Sequence, residues 1–103
     1  MVHRLVVMYG QPADPEAFDT YYRETHTPLA LKQPGLLRLT FGRPEAMGPA
    51  DSVPYLIAEL DFESEQAMGD SLGSPEGKAA GGDLANFATG GVTFLHFDVH
   101  EAQ

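Results

Sequence analysis

His26 follows Phe18 and Tyr22 at intervals of four residues, so on a helix the three side chains form a stripe that ends in an imidazole. An imidazole titrates near neutrality and can take up or release a proton, which makes His26 the candidate for general acid–base catalysis. The structural alternative is a ring that caps the helix end or bonds a backbone carbonyl. Tyr22, one turn earlier, either packs in the core or holds its phenol at the edge of a pocket, where it would donate to a substrate carbonyl or enolate oxygen. Tyr21 is assigned to packing.

Two further candidates stand in the middle of strands. Glu59 would have a raised pKa inside a barrel and could act as an acid or base, or it pairs with Arg4 or Arg38. His96, with Phe94 two residues before it, is a candidate for substrate contact. His3, His96, His100 and Asp98 lack the spacing of a metal set, and the chain has no cysteine, hence no thiolate nucleophile and no Cys-based metal site. Neither Gly81-Gly82 nor Gly90-Gly91 is followed by phosphate-loop spacing, so no nucleotide site is expected, and Asp83 is assigned to local backbone bonds. No cofactor is called for.

The elements that position these residues follow from periodicity and punctuation. Val2 to Tyr9 is a first strand, apolar on both faces and closed by Gly10, Gln11 and Pro12. Asp14-Pro15-Glu16 is an N-cap, a proline at the first helical position and an acid near the positive end of the dipole, so a helix starts there. Pro28 disfavours the α conformation at Thr27, which predicts that this helix ends near His26 and that the negative end of its dipole favours the protonated ring. Pro34-Gly35 turns the chain into a second strand, Leu36 to Arg43. A long loop, Pro44 to Val53, leads to a third, Pro54 to Phe62. Glu63 to Leu72 is a helix, and Ser74-Pro75-Glu76 repeats the start signal for another, which brings Leu84 and Phe87 to its buried side. Val92 to His100 is the last strand.

This order is β-α-β-β-α-β, the ferredoxin-like class, with both crossovers on one face of a four-stranded antiparallel sheet. The other face is left uncovered by its own chain. Strand parity assigns Tyr55, Ile57, Glu59, Phe94 and His96 to that open face, which is too apolar to meet water and is expected to meet a second copy, giving a barrel with an apolar interior. The 103 residues form one domain with a thin core. A net charge of −9 argues against nucleic acid or an anionic membrane surface as partner. No apolar stretch approaches the roughly 20 residues needed to span a bilayer, and the opening MVHRLVVMYG is too short for a signal-peptide core. A soluble cytoplasmic protein is expected.

Three runs, in order and well separated, resemble the EthD-like family of the dimeric α+β barrel superfamily: F-x-x-Y-Y-x-x-x-H-x-P from Phe18 to Pro28, Pro34-Gly35-Leu36, and S-P-E-G-x-x-x-x-x-D-L-x-x-F from Ser74 to Phe87. The resemblance spans nearly the whole chain. It implies a ferredoxin-like fold, a homodimer formed sheet to sheet, and a pocket for a small hydrophobic metabolite. Relatives of that kind include proteins tied to ether degradation and cofactor-independent lyases, isomerases and monooxygenases. The expectation is acid–base chemistry on a small cyclic or aromatic molecule, with His26 moving the proton and Tyr22, Glu59, His96 and Phe94 contacting the substrate. The alternatives are a non-catalytic binding or accessory protein and a structural dimer with a filled core.

Overall fold

Alternate residues of strand β1, His3–Tyr9, are buried at His3, Leu5, Val7 and Tyr9, while Arg4, Val6 and Met8 on its other face are half-covered. In the computed structural model, which describes residues 1–103, β1 lies between β3 (Leu56–Phe62) and β4 (Val92–Asp98), antiparallel to both. Strand β2 (Arg38–Gly42) pairs with the far side of β3. The order β2-β3-β1-β4 with two helical crossovers is the expected ferredoxin-like arrangement. The strands are shorter than their apolar runs suggest. Leu36 and Leu37, for example, stay outside β2 because the chain is still leaving the turn at Gly35, whose φ is +77°.

Helix α1 (Pro15–Tyr21) starts as its sequence dictates, with Asp14 Oδ1 accepting the Ala17 N–H at 3.1 Å. It does not stop before Pro28. A π-helical turn, Tyr22–His26, runs directly into α2 (Thr27–Ala30), and Thr27 keeps helical angles (φ −57°, ψ −45°). A proline inside an α-helix lacks an N–H and crowds the carbonyl four residues back. The wider turn, in which the Thr27 N–H bonds the Tyr22 carbonyl, relieves that crowding. His26 therefore sits mid-helix rather than in a last turn, and the dipole argument for its charge does not apply.

Helix α3 (Glu65–Gly73) is capped by Ser64, and α4 (Pro75–Asp83) by Ser74, whose Oγ accepts the Gly77 N–H at 3.0 Å. Gly77 is obligatory at this corner: a Cβ there would collide with the carbonyls of Ser71 and Leu72. A short 3₁₀ turn, Leu84–Asn86, then delivers Phe87 to the core. Tyr9, Phe18, Tyr22, Tyr55 and Phe87 make one aromatic cluster, with ring centroids 5.2–6.1 Å apart. No helix is long and apolar enough to cross a membrane.

Register corrects the assignment of faces. Direct partners in an antiparallel ladder share a face. Leu5 stands opposite both Leu60 and His96, and Val7 opposite Ala58 and Phe94, so Phe94 and His96 lie on the helix side and not on the open face. Parity within one strand leaves two equivalent choices of face, and only pairing with β1 decides between them. Tyr55 is also misplaced by parity. It precedes β3 and turns its ring edge-on to Phe18, with its O–H donating to Asp19 Oδ1 at 2.8 Å. Ile57 and Glu59 do face away from the helices, together with Val6, Met8, Leu95 and Phe97. From Thr93 to Asp98 every β4 residue is exposed, because the helices cover β3 and β1 and stop short of this edge.

Candidate active site

The π-helical turn sets His26 beneath Tyr22 and against Phe87, at centroid distances of 5.7 and 4.7 Å. Both the His26 and the Asp83 side chains are more than nine-tenths buried, and His26 Nδ1 lies 3.0 Å from Asp83 Oδ2. The second carboxylate oxygen accepts the Tyr21 O–H at 2.6 Å and an Asn86 Nδ2 hydrogen at 3.0 Å. Burial pushes the Asp83 pKa up, but the bonds from Tyr21, Asn86 and His26 outweigh it and hold the carboxyl below its usual value. An ionised Asp83 must accept from Nδ1, so the neutral ring carries its proton there and keeps a lone pair on Nε2. That Nε2 makes no hydrogen bond to the protein.

His26 borders a cavity of about 600 Å³ between the helices and the sheet, walled mainly by apolar side chains such as Leu5, Val7, Leu39, Leu60, Met68 and Leu84. Its polar side chains are few: Tyr9, Tyr22, His26, Gln33, Lys78 and His96. Burial drives the Tyr22 phenol up to about 12, against a smaller opposing effect of the Thr27 hydroxyl, so Tyr22 is a neutral donor at physiological pH. Size and lining are those of a small-molecule site.

The structure brings Tyr22, His26, Phe94 and His96 to this one cavity and leaves Glu59 out. Glu59 is on the opposite face of the sheet, beside a shallow depression with Thr40 and Ile57. Arg4 does not pair with Glu59, since its guanidinium grips Asp61 through Nε at 2.7 Å and Nη2 at 3.1 Å. One assignment from sequence is overturned and another is incomplete. Asp83 makes side-chain bonds across the helices rather than local backbone bonds, and Tyr21 is a donor to Asp83 as well as a packing residue stacked on Phe87. A signal for Asp83 was present: it falls three residues after Ala80 and four before Phe87, on the buried stripe of its helix, where a carboxylate needs a partner. His3, His96 and Asp98 do meet, as a hydrogen-bonded chain, and no group of three His, Asp or Glu side chains is arranged to hold a metal ion.

Comparison with known proteins agrees with this architecture. The chain is 40% identical over 97 residues, 94% of each sequence, to the "Uncharacterized 11.0 kDa protein in thcB-thcC intergenic region" of Rhodococcus erythropolis. An EthD family protein of Bacillus halodurans superposes with a TM-score of 0.88 at 32% identity, over 97% of this chain and 100% of that one. Likeness in fold alone extends to two others. One is a dimeric ferredoxin-like protein of Thermobifida fusca (TM-score 0.71, 15% identity, 96% and 92% covered), and the other a hydroxynitrile lyase of Passiflora edulis (TM-score 0.73, 17% identity, 99% and 96% covered). The EthD domain matches residues 10–91, a span that holds the histidine, its aspartate and most of the cavity wall, and this chain belongs to the EthD family.

Proposed function

We propose that this protein catalyses cofactor-independent proton transfer on a small cyclic or aromatic molecule, with His26 Nε2 as the base. The observation that carries the reading is the buried Asp83–His26 pair, oriented so that its free nitrogen borders an apolar cavity. A hydrogen α to a carbonyl would pass to Nε2, and the Tyr22 O–H would donate to the enolate oxygen as charge develops there. Base and donor are both side chains of this chain, so the step asks for no added group. A cavity of this size also speaks against a dimer with a wholly filled core. The Passiflora edulis lyase, similar in fold, supports the scaffold as one on which small-molecule chemistry runs.

The assembly we infer is a homodimer formed through the open sheet face, where Val6, Met8, Ile57, Leu95 and Phe97 have nothing in their own chain to cover them. The dimeric Thermobifida fusca relative supports it. The experiment for the chemistry is α-hydrogen exchange of 2-tetralone in D2O, followed by NMR with wild type and with His26→Gln. Loss of exchange by about 10²–10⁴-fold with binding of the ketone retained is the expected result. Exchange that survives the substitution overturns the assignment. A wild type that binds the ketone without exchanging it is a binding protein instead.

A further inference from the structure

We propose that Asp98, His3 and His96 form a second proton relay whose open end, His96 Nε2, serves the same cavity from the sheet side, so that a bound molecule meets one imidazole from the helices and another from the sheet. This rests on the reading of the cavity as an acid–base site and adds a second base to it. Asp98 Oδ1 lies 2.7 Å from His3 Nδ1, and His3 Nε2 lies 2.9 Å from His96 Nδ1. His3 is almost completely buried, whereas His96 lines the cavity and its Nε2 makes no protein hydrogen bond.

The proton positions follow from the donors available. The bond from His3, the largest influence on Asp98, holds its carboxyl below the usual value despite some desolvation. An ionised Asp98 accepts the His3 Nδ1–H, which leaves neutral His3 with a lone pair on Nε2. His96 must then supply the hydrogen from its Nδ1, which leaves its own Nε2 vacant. When Nε2 takes a proton from a substrate carbon, the Nδ1 hydrogen can move to His3 Nε2, and the positive charge comes to rest beside Asp98. The balance closes on each face separately. A C–H bond breaks as an N–H forms on the Nε2 of the imidazole that faces it, and the C–H reforms from that same imidazolium once its hydrogen has exchanged with water, with no oxidant or added co-reactant. The substrate class is an enolisable cyclic ketone or lactone that exchanges a hydrogen on each of its two faces.

Two measurements test this. Nitrogen-15 spectra of the imidazoles at neutral pH should show His96 with a protonated Nδ1 and a pyridine-like Nε2. In His3→Phe, which keeps the buried volume, His96 should revert to the Nε2–H tautomer preferred by free histidine while the His26 signals stay in place. Asp98→Ala, at an exposed position, serves as the second variant if His3→Phe does not fold, and should mix the His96 tautomers. A wild-type His96 protonated on Nε2, or a tautomer unmoved by these changes, overturns the relay. The second measurement follows the two C1 hydrogens of enantiopure 4-methyl-2-tetralone in D2O. Wild type should exchange both, and His96→Gln should slow one of them by about 10²-fold or more while the other persists. Equal exchange of both in His96→Gln removes the second base. If wild type exchanges neither, the acid–base reading of the cavity fails, and the tautomers alone decide the relay.

Discussion

Two aspartate–histidine pairs connect to one cavity, Asp83–His26 directly through His26 and Asp98–His3 through His96, and they differ chiefly in how much protein surrounds them. Asp83 and His26 are enclosed by the π-helical turn, the 3₁₀ turn and Phe87, with side-chain exposures of 7% and 8%. Asp98 is half exposed at the sheet edge, although the His3 it bonds is only 4% exposed. Enclosure forces both oxygens of Asp83 to find fixed partners, which is why Tyr21 and Asn86 converge on the one that His26 leaves free. At the open pair water can replace a partner lost by Asp98, though not one lost by the buried His3, so its geometry contributes less to folding than that of the enclosed pair. Stability and chemistry are thus coupled at Asp83 and separable at Asp98.

The largest effect that could break this contrast is on thermal stability. Asp83→Ala strands the His26 Nδ1–H and takes the acceptor from Tyr21 and Asn86, at a cost of about 2–4 kcal/mol. In a chain of this length that lowers the melting temperature by roughly 10–25 °C. Asp98→Ala lowers it less, since the carboxylate is solvated and His3 keeps its bond to His96, although the buried His3 Nδ1–H loses its acceptor. Calorimetry on both variants decides the matter, and equal shifts would show that enclosure is not the difference.

The sequence displayed the enclosed pair only by half. His26 stood out because helical periodicity is local: Phe18, Tyr22 and the imidazole are on one stripe whatever the rest of the chain does. Its aspartate lies 57 residues away, on a helix made weak by Gly77, Gly81 and Gly82, and the stripe it shares with Ala80 and Phe87 marks it as buried without naming its partner. The π-helical turn was equally hidden, because Pro28 reads as a helix end unless the preceding turn can widen. Fold class was legible because each of the four strands has its own alternation and punctuation. Their faces were not, since β4 is exposed on both sides and its parity carries no sign until it is set against β1.

That ambiguity at β4 gives the next test. Phe94 and Phe97 are both about half exposed, on opposite faces of one strand. Phe97→Glu puts a charge on the open face and should weaken the dimer by about one to two orders of magnitude, visible by sedimentation at micromolar concentration. Phe94→Glu puts the charge at the cavity instead, and should weaken binding of 2-tetralone while the mass stays that of the assembly. Reversed outcomes would mean that copies associate through the helix side of β4.

The smallest effect lies in acid. Asp83 and Asp98 are both held below their unfolded pKa of roughly 3.9, so each favours the folded state fully above about pH 4 and loses that contribution as the pH falls through its folded value. His26 is bonded to Asp83 and His3 to Asp98, so protonating either carboxylate removes the acceptor that its imidazole partner bonds. The slope of stability against pH below 4 is therefore the sum of two parts. Asp83→Asn should lower stability at pH 6 and flatten the acid limb visibly, because its carboxylate is bonded by three partners in a dry site. Asp98→Asn should flatten the limb slightly and leave pH 6 unchanged, because solvent and salt screen an exposed carboxylate. Urea midpoints for the three proteins at pH 6, 4 and 3 measure this directly. Parallel profiles for Asp83→Asn and wild type would show that Asp83 titrates alike in the folded and unfolded chains, and the buried pair would lose its claim to hold His26 in one tautomer.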